Sequence, residues 1–121
     1  LLGSAPYHEI APHLVLMAFL HRVVNGGSIE REYAIGSGRM DLCLRYGGET
    51  LAIEIKVWRP RQKDPLGEGL AQIDAYLARL GLATGWLVLF DRRSRRAPIE
   101  KRMSTRKAKT PGGRQVVVVR L

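Results

Sequence analysis

The sequence predicts an α/β domain with a mixed central sheet flanked by helices, its elements running in the order αβββαβ before a basic C-terminal stretch. Three observations carry this. Apolar residues recur at three- and four-residue steps in two segments, 8–24 and 64–81, which is helical spacing. Between those segments the pattern changes to strict alternation broken by glycine-rich turns, the signature of strands. After the second helical segment comes a continuous apolar run, "GWLVLFD" at 85–91, which reads as a strand buried on both faces. A helix crossing over between two strands makes them parallel neighbours, so the sheet is mixed.

The first helix is marked by Ile10, Leu14, Met17, Phe19, Leu20, Val23 and Val24 and is stopped by Gly26-Gly27. A first strand follows over 29–35, before "GSG" interrupts it. Met40, Leu42 and Leu44 then alternate with Asp41, Cys43 and Arg45, and Leu51, Ile53, Ile55 and Val57 alternate with Ala52, Glu54, Lys56 and Trp58. Each of these two strands has one apolar face. A hairpin centred on Gly47-Gly48 pairs Leu44 with Leu51, Leu42 with Ile53 and Asp41 with Glu54, and it brings both apolar faces together. Asp64-Pro65 opens the second helix as cap and first residue, Gly81 closes it, and Leu66, Leu70, Ile73, Leu77 and Leu80 form its buried stripe. Beyond 91 the signals are a short helix after Pro98, a turn at 111–113 and a final strand "VVVVRL", which either closes this sheet or stands at its edge, open to a second copy of the chain.

At 121 residues, with 45% hydrophobic and 26% charged residues, the chain is sized for one domain with one modest core. No apolar run reaches the roughly 18 residues that would span a bilayer. The lone Cys43 has no partner for an internal bridge, and no Cys/His spacing suits zinc, so a reducing, cytoplasmic setting is the expectation. The chain opens with Leu1-Leu2 and no leader, which suggests a trimmed chain or a piece of a larger polypeptide. The net charge of +9 is unevenly placed: residues 1–91 hold nine Lys/Arg against ten Asp/Glu, and residues 92–121 hold eleven against one. The core segment 1–91 is thus close to neutral, while the extension 92–121, in the same domain, carries Arg92, Arg93, Arg95, Arg96, Lys101 and Arg102 early in its course. Such a stretch is an electrostatic footprint for a polyanion, nucleic acid first, or else a solvated tail that confers solubility.

Two carboxylates facing each other across strands destabilise a sheet unless something offsets their repulsion. Asp41 and Glu54 are predicted to do this on the face away from the apolar residues, with Lys56 two residues further along. Two acids with room for water suit a hard divalent cation such as Mg²⁺. The other reading is an exposed cross-strand pair with Arg39 and Lys56 as counter-ions. Gln72 and Tyr76, four apart on the second helix, either reach past the core edge or form a local surface pair. Trp58, followed by Arg59 and Arg61, either stacks on a base or covers the core rim. Cys43 reads as filler, since no histidine is placed to activate it.

The order of elements, the acid on the second strand, the Glu-x-Lys of "LAIEIKVW" and the "QIDAY" of the next helix together resemble the PD-(D/E)xK nuclease superfamily over roughly residues 8–91. In detail "EREYAIGSGRMDLCL" and "GLAQIDAYLARLGLATGWLVLFD" look like the nuclease-type domain at the C-terminal end of certain bacterial AAA-like ATPase proteins. The resemblance implies a restriction-endonuclease-like fold, a Mg²⁺ or Mn²⁺ ion on Asp41, Glu54 and the Ile55 carbonyl, and Lys56 orienting or deprotonating water. It further implies that Gln72 and Tyr76 support the site or the substrate strand, that Glu9 of the first helix joins the site, and that Arg39 and the basic extension hold nucleic acid. Met40 stands where the superfamily has proline, a position without chemistry of its own. The expected function is metal-dependent hydrolysis of phosphodiesters, in DNA first, beside an ATPase domain on the same polypeptide. The rival is a catalytically inactive module of the same fold that binds nucleic acid or a partner protein through its basic residues.

Overall fold

The structure, a computed structural model, describes residues 28–34, 39–46 and 48–121; for 28–34, 39, 40 and 46 it describes the backbone only. The expected helix over 8–24, with Glu9, lies outside the described residues. The remainder is a mixed α/β arrangement around a six-stranded sheet. Its strands are β1 (Ser28–Ala34), β2 (Arg39–Tyr46), β3 (Glu49–Trp58), β4 (Thr84–Asp91), β5 (Ser104–Lys109) and β6 (Gln115–Arg120). Its helices are α1 (Leu66–Leu80) and the single turn α2 (Ile99–Arg102). In space the strands run β1-β2-β3-β4-β6-β5. Pairing is antiparallel through β1, β2 and β3, parallel from β3 to β4 and from β4 to β6, and antiparallel again between β6 and β5.

The β2–β3 register is the one the glycine turn dictates: Leu44 opposite Leu51, Leu42 opposite Ile53, Asp41 opposite Glu54. Both sheet faces are buried, however, and this corrects the expectation of a single apolar face. Leu42, Leu44, Ile53, Ile55 and Val88 form one buried cluster. The opposite face, which carries Asp41, Cys43, Ala52, Glu54 and Lys56, is covered by α1 and belongs to a second cluster with Ile73, Leu77, Leu87, Leu89, Val116 and Val118. Each fully buried side chain of this kind contributes on the order of 1.5–3 kcal/mol of transfer free energy. The stripe on α1 is the expected one, with Ile73 and Leu77 fully buried and Leu66, Leu70 and Leu80 packed partly buried at its margins.

Two glycines set how close and how long α1 is. A Cβ on Gly85 of β4 would lie 2.9 Å from Leu77 Cδ2 and 3.2 Å from the Ala52 carbonyl oxygen, so the helix rests where only glycine leaves room. Gly81 ends the helix with φ 72°, and its amide and that of Leu82 return to the Ala78 and Leu77 carbonyls. At the other end the Asp64 carboxylate accepts the Leu66 amide at 3.0 Å, a cap two residues before the helix start at Leu66.

The final strand joins this sheet, the first of its two expected placements. β6 is not an edge: it lies between β4 and β5, and Val116 and Val118 are buried beneath α1. The edge is β5, "STRKAK", whose basic side chains give no apolar alternation to read but suit an unpaired edge. The turn from β5 to β6 is bound to the helix by Asp74. Its carboxylate accepts Thr110 Oγ1 at 2.5 Å, Arg114 Nη1 at 2.9 Å and the Gly112 amide at 3.1 Å. The Thr110 hydroxyl and the Arg114 guanidinium hold the Asp74 carboxyl below its ordinary pKa. Among the described residues no helix is long and apolar enough to cross a membrane.

Candidate active site

The opposed acids sit in the middle of the sheet. Asp41 on β2 and Glu54 on β3 are register partners, 3% and 0% exposed, and Glu54 is in turn paired with Leu87 of β4. On the other side Asp41 pairs with Glu32 of β1, so three acidic residues occupy one cross-strand row. Lys56, one pleat further along β3, is 4% exposed. Asp41, Glu54 and Lys56 are not solvated surface charges, as the counter-ion reading would have them. They lie beneath a helix, where an ion must find compensation close at hand.

Helix α1 supplies part of that compensation. Glu68, in its first turn, holds Lys56 Nζ at 2.7 Å, and the same Oε1 accepts Gln72 Nε2 at 3.2 Å. The Lys56 ammonium, and after it the Gln72 amide, keeps the Glu68 carboxyl below its ordinary pKa. The Gln72 amide oxygen is itself buried and accepts no hydrogen bond. Near the other end of the helix Arg79 Nη2 stands 3.4 Å from Asp41 Oδ2, with its guanidinium 5.3 Å from the Tyr76 ring centre. The site therefore comprises Arg79, Glu68 and Gln72 from the helix and Asp41, Glu54 and Lys56 from the sheet.

The structure thus brings together Asp41, Glu54, Lys56 and Gln72. Ile55 lies between Met40 and Val88 in the two ladders with its side chain in the opposite cluster, so its backbone carbonyl is the group it has to offer. Tyr76 is 5% exposed within the α1 core cluster. Arg39 is the register partner of Lys56, its side chain outside the described residues, as is Glu9. The basic residues of the extension do not act as one group. Arg92, Arg95, Arg96 and Lys101 are exposed. Arg93 lies flat on Trp58, 3.6 Å from the ring centre, and grips Asp91 at 2.7 and 3.0 Å. Arg102 turns inward, with Nη1 donating to the Ala97 carbonyl at 2.6 Å.

Trp58 is therefore a rim aromatic with one face already taken by Arg93, and its indole nitrogen donates to the Gln62 carbonyl at 2.8 Å. Two site residues escape a reading by motif, Glu68 and Arg79. Glu68 has a signal, since it is four residues before Gln72 and one helical turn places them on one face. Arg79 has none, because its partner Asp41 is 38 residues away.

The donor set fits a hard cation. Two carboxylates opposed across adjacent strands, with no thiolate or imidazole among the described members of the site, match the oxygen preference of Mg²⁺ or Mn²⁺. Among the described residues there is no group of three or more His, Cys, Asp or Glu side chains gathered around one point, so solvent and substrate oxygens would have to complete the shell. The chain matches no family model, no curated protein and no solved structure.

Proposed function

We propose that this chain is a metal-dependent nuclease domain of restriction-endonuclease-like build, hydrolysing phosphodiesters of nucleic acid, DNA first, as part of an ATPase-type polypeptide. The observation that supports it is the buried, in-register Asp41–Glu54 pair with Lys56 one pleat away and Glu68 fixing that lysine. Burying two like charges side by side costs stability, and a cation is the economical reason to keep them. Asp41 and Glu54, with the Ile55 carbonyl, would hold Mg²⁺ or Mn²⁺. Such an ion, when bound, polarises a phosphoryl oxygen and acidifies water. Lys56 places its ammonium beside the attacked phosphate, and Glu68 and Gln72 keep the Lys56 side chain from swinging away. Arg79 holds Asp41 in one orientation until substrate arrives.

A second reading draws support from the same contacts. The Lys56–Glu68 and Arg79–Asp41 pairs compensate part of the charge internally, as an inactive module of this fold that binds nucleic acid or a partner protein would require. Incubation with single-stranded, duplex and branched DNA and with RNA, in Mg²⁺, Mn²⁺ and EDTA, separates the two. Cleavage that needs metal and disappears in Glu54→Ala supports the nuclease. Binding without cleavage in every lane selects the inactive module.

A further inference from the structure

Two clefts meet at Arg120. The first, of about 150 Å³, lies at the C-terminal ends of β3, β4 and β6 and is bounded by Trp58, Leu89, Arg93, Arg102 and Arg120. Leu89 is the register partner of Lys56, so this cleft begins beside the candidate active site. The second, of about 370 Å³, runs past the first turn of α1 toward the β5 edge. Leu66, Ala108 and Val118 give it an apolar floor, and Arg106, Lys107 and Arg120 give it a basic rim.

Five cations thus border the pair of clefts, and the two acids beside them are already committed. Asp91 is held by Arg93 at 2.7 Å and Asp64 by Arg120 at 2.8 Å. Arg106 and Lys107 are exposed and form no ion pair with any described residue. Arg102 keeps a buried Nε without a hydrogen-bond partner at the first cleft. A basic rim that keeps a net positive charge over an apolar floor is what a single nucleic-acid strand needs, because it exposes phosphates and base faces together. A duplex hides its bases and would leave the floor unused.

We propose that the two clefts form one track for a single nucleic-acid strand, leading from beside Lys56 past Arg120 to Arg106 and Lys107 on β5. The track rests on the nucleic-acid reading of the site but not on catalysis. It assigns a binding role to β5 and β6, beyond the cluster of arginines that follows β4.

The test is fluorescence anisotropy of a short labelled single-stranded oligonucleotide, and of its duplex, with the full chain in EDTA. The Arg106→Glu/Lys107→Glu variant is compared with Arg45→Glu/Lys63→Glu, which makes the same charge change at exposed positions outside both clefts and outside the basic extension. The track predicts that single strand binds more tightly than duplex. It also predicts that the Arg106/Lys107 variant weakens binding by about tenfold or more and flattens the salt dependence of log K by about 1.4, while the control pair stays within about twofold. Melting curves confirm that both variants fold. Equal weakening in both variants, tighter duplex binding, or no binding by the wild type would overturn the track. Binding as predicted with no cleavage in Mg²⁺ or Mn²⁺ would leave the track standing and remove the nuclease reading. Cleavage by a protein whose binding ignores Arg106 and Lys107 would do the reverse.

Discussion

Neutralising Glu54 should distinguish a metal site from a structural cluster of ions. Glu54 is fully buried and directly opposite Asp41, so the two side chains leave the sheet about 5 Å apart. Two unit charges at that separation repel by roughly 3 kcal/mol at an effective dielectric constant of about 20. A divalent cation bound between them relieves that repulsion, so metal binding must appear as folding stability. With a dissociation constant of about 1 mM and about 10 mM metal, linkage gives ~1.4 kcal/mol. For a domain of this size that is a rise of roughly 3–6 °C in Tm. The assay is calorimetry on EDTA-treated protein titrated with Mg²⁺ and Mn²⁺, wild type beside Glu54→Gln. The wild type should show the rise, and the isosteric variant should stay folded without it. A wild-type Tm indifferent to both metals, or a variant that keeps the full rise, would refute the reasoning. A purely structural cluster predicts instead that Glu54→Gln shifts Tm by the same amount with and without metal.

Glu68→Gln should lower the rate of cleavage by about tenfold to a hundredfold through loss of Lys56 placement. Because it leaves the buried Lys56 ammonium without its carboxylate, the same change should also cost about 1–3 kcal/mol of stability, measured by urea unfolding. Leu77→Ala empties a fully buried site between α1 and the sheet and should cost about 2–5 kcal/mol in the same assay. Thr110→Val keeps volume but removes the hydroxyl that donates to Asp74 and accepts the Arg114 amide, at a cost of about 1–3 kcal/mol. The Asp91 carboxyl is lowered by Arg93, so the stability it contributes is full above the ordinary Asp pKa of 3.8 and fades as pH falls through the lower folded value. Asp91→Asn should therefore flatten the acid branch of a Tm-against-pH curve and leave its neutral branch parallel to the wild type.

What could be read from the sequence was whatever depends on near neighbours. The Gly47-Gly48 turn and the alternation on both sides of it fix the β2–β3 register, and with it the Asp41–Glu54 pairing. The stripe from Leu66 to Leu80 fixes which side of α1 is buried. The pattern does not say which face of the sheet that stripe will cover. Asp41, Glu54 and Lys56 look like a polar face by alternation, yet α1 packs over them, anchored by Leu77 against Gly85. The same packing draws Tyr76 into the core and brings Arg79 to Asp41, contacts that local spacing cannot reveal. β5 was hidden for another reason: an edge strand needs no buried side, so "STRKAK" reads as charge rather than as structure.

The uneven charge of the chain takes on a different meaning once β5 and β6 are part of the sheet. A basic extension that merely trailed from the domain could be cut away to leave a weaker-binding core. Here β6 pairs with β4 along six residues, and Val116 and Val118 complete the cluster beneath α1. Three cations of the track, Arg106, Lys107 and Arg120, lie on the same two strands, and Arg120 links the cap of α1 to both clefts through Asp64. Removing residues 92–121 would expose the β4 edge and take away two buried valines together with the basic rim. A truncated chain that failed to bind would then say nothing about phosphate contacts, since the sheet itself would be lost. Binding and folding share these residues, and only charge substitution at the exposed positions of β5 can separate the two.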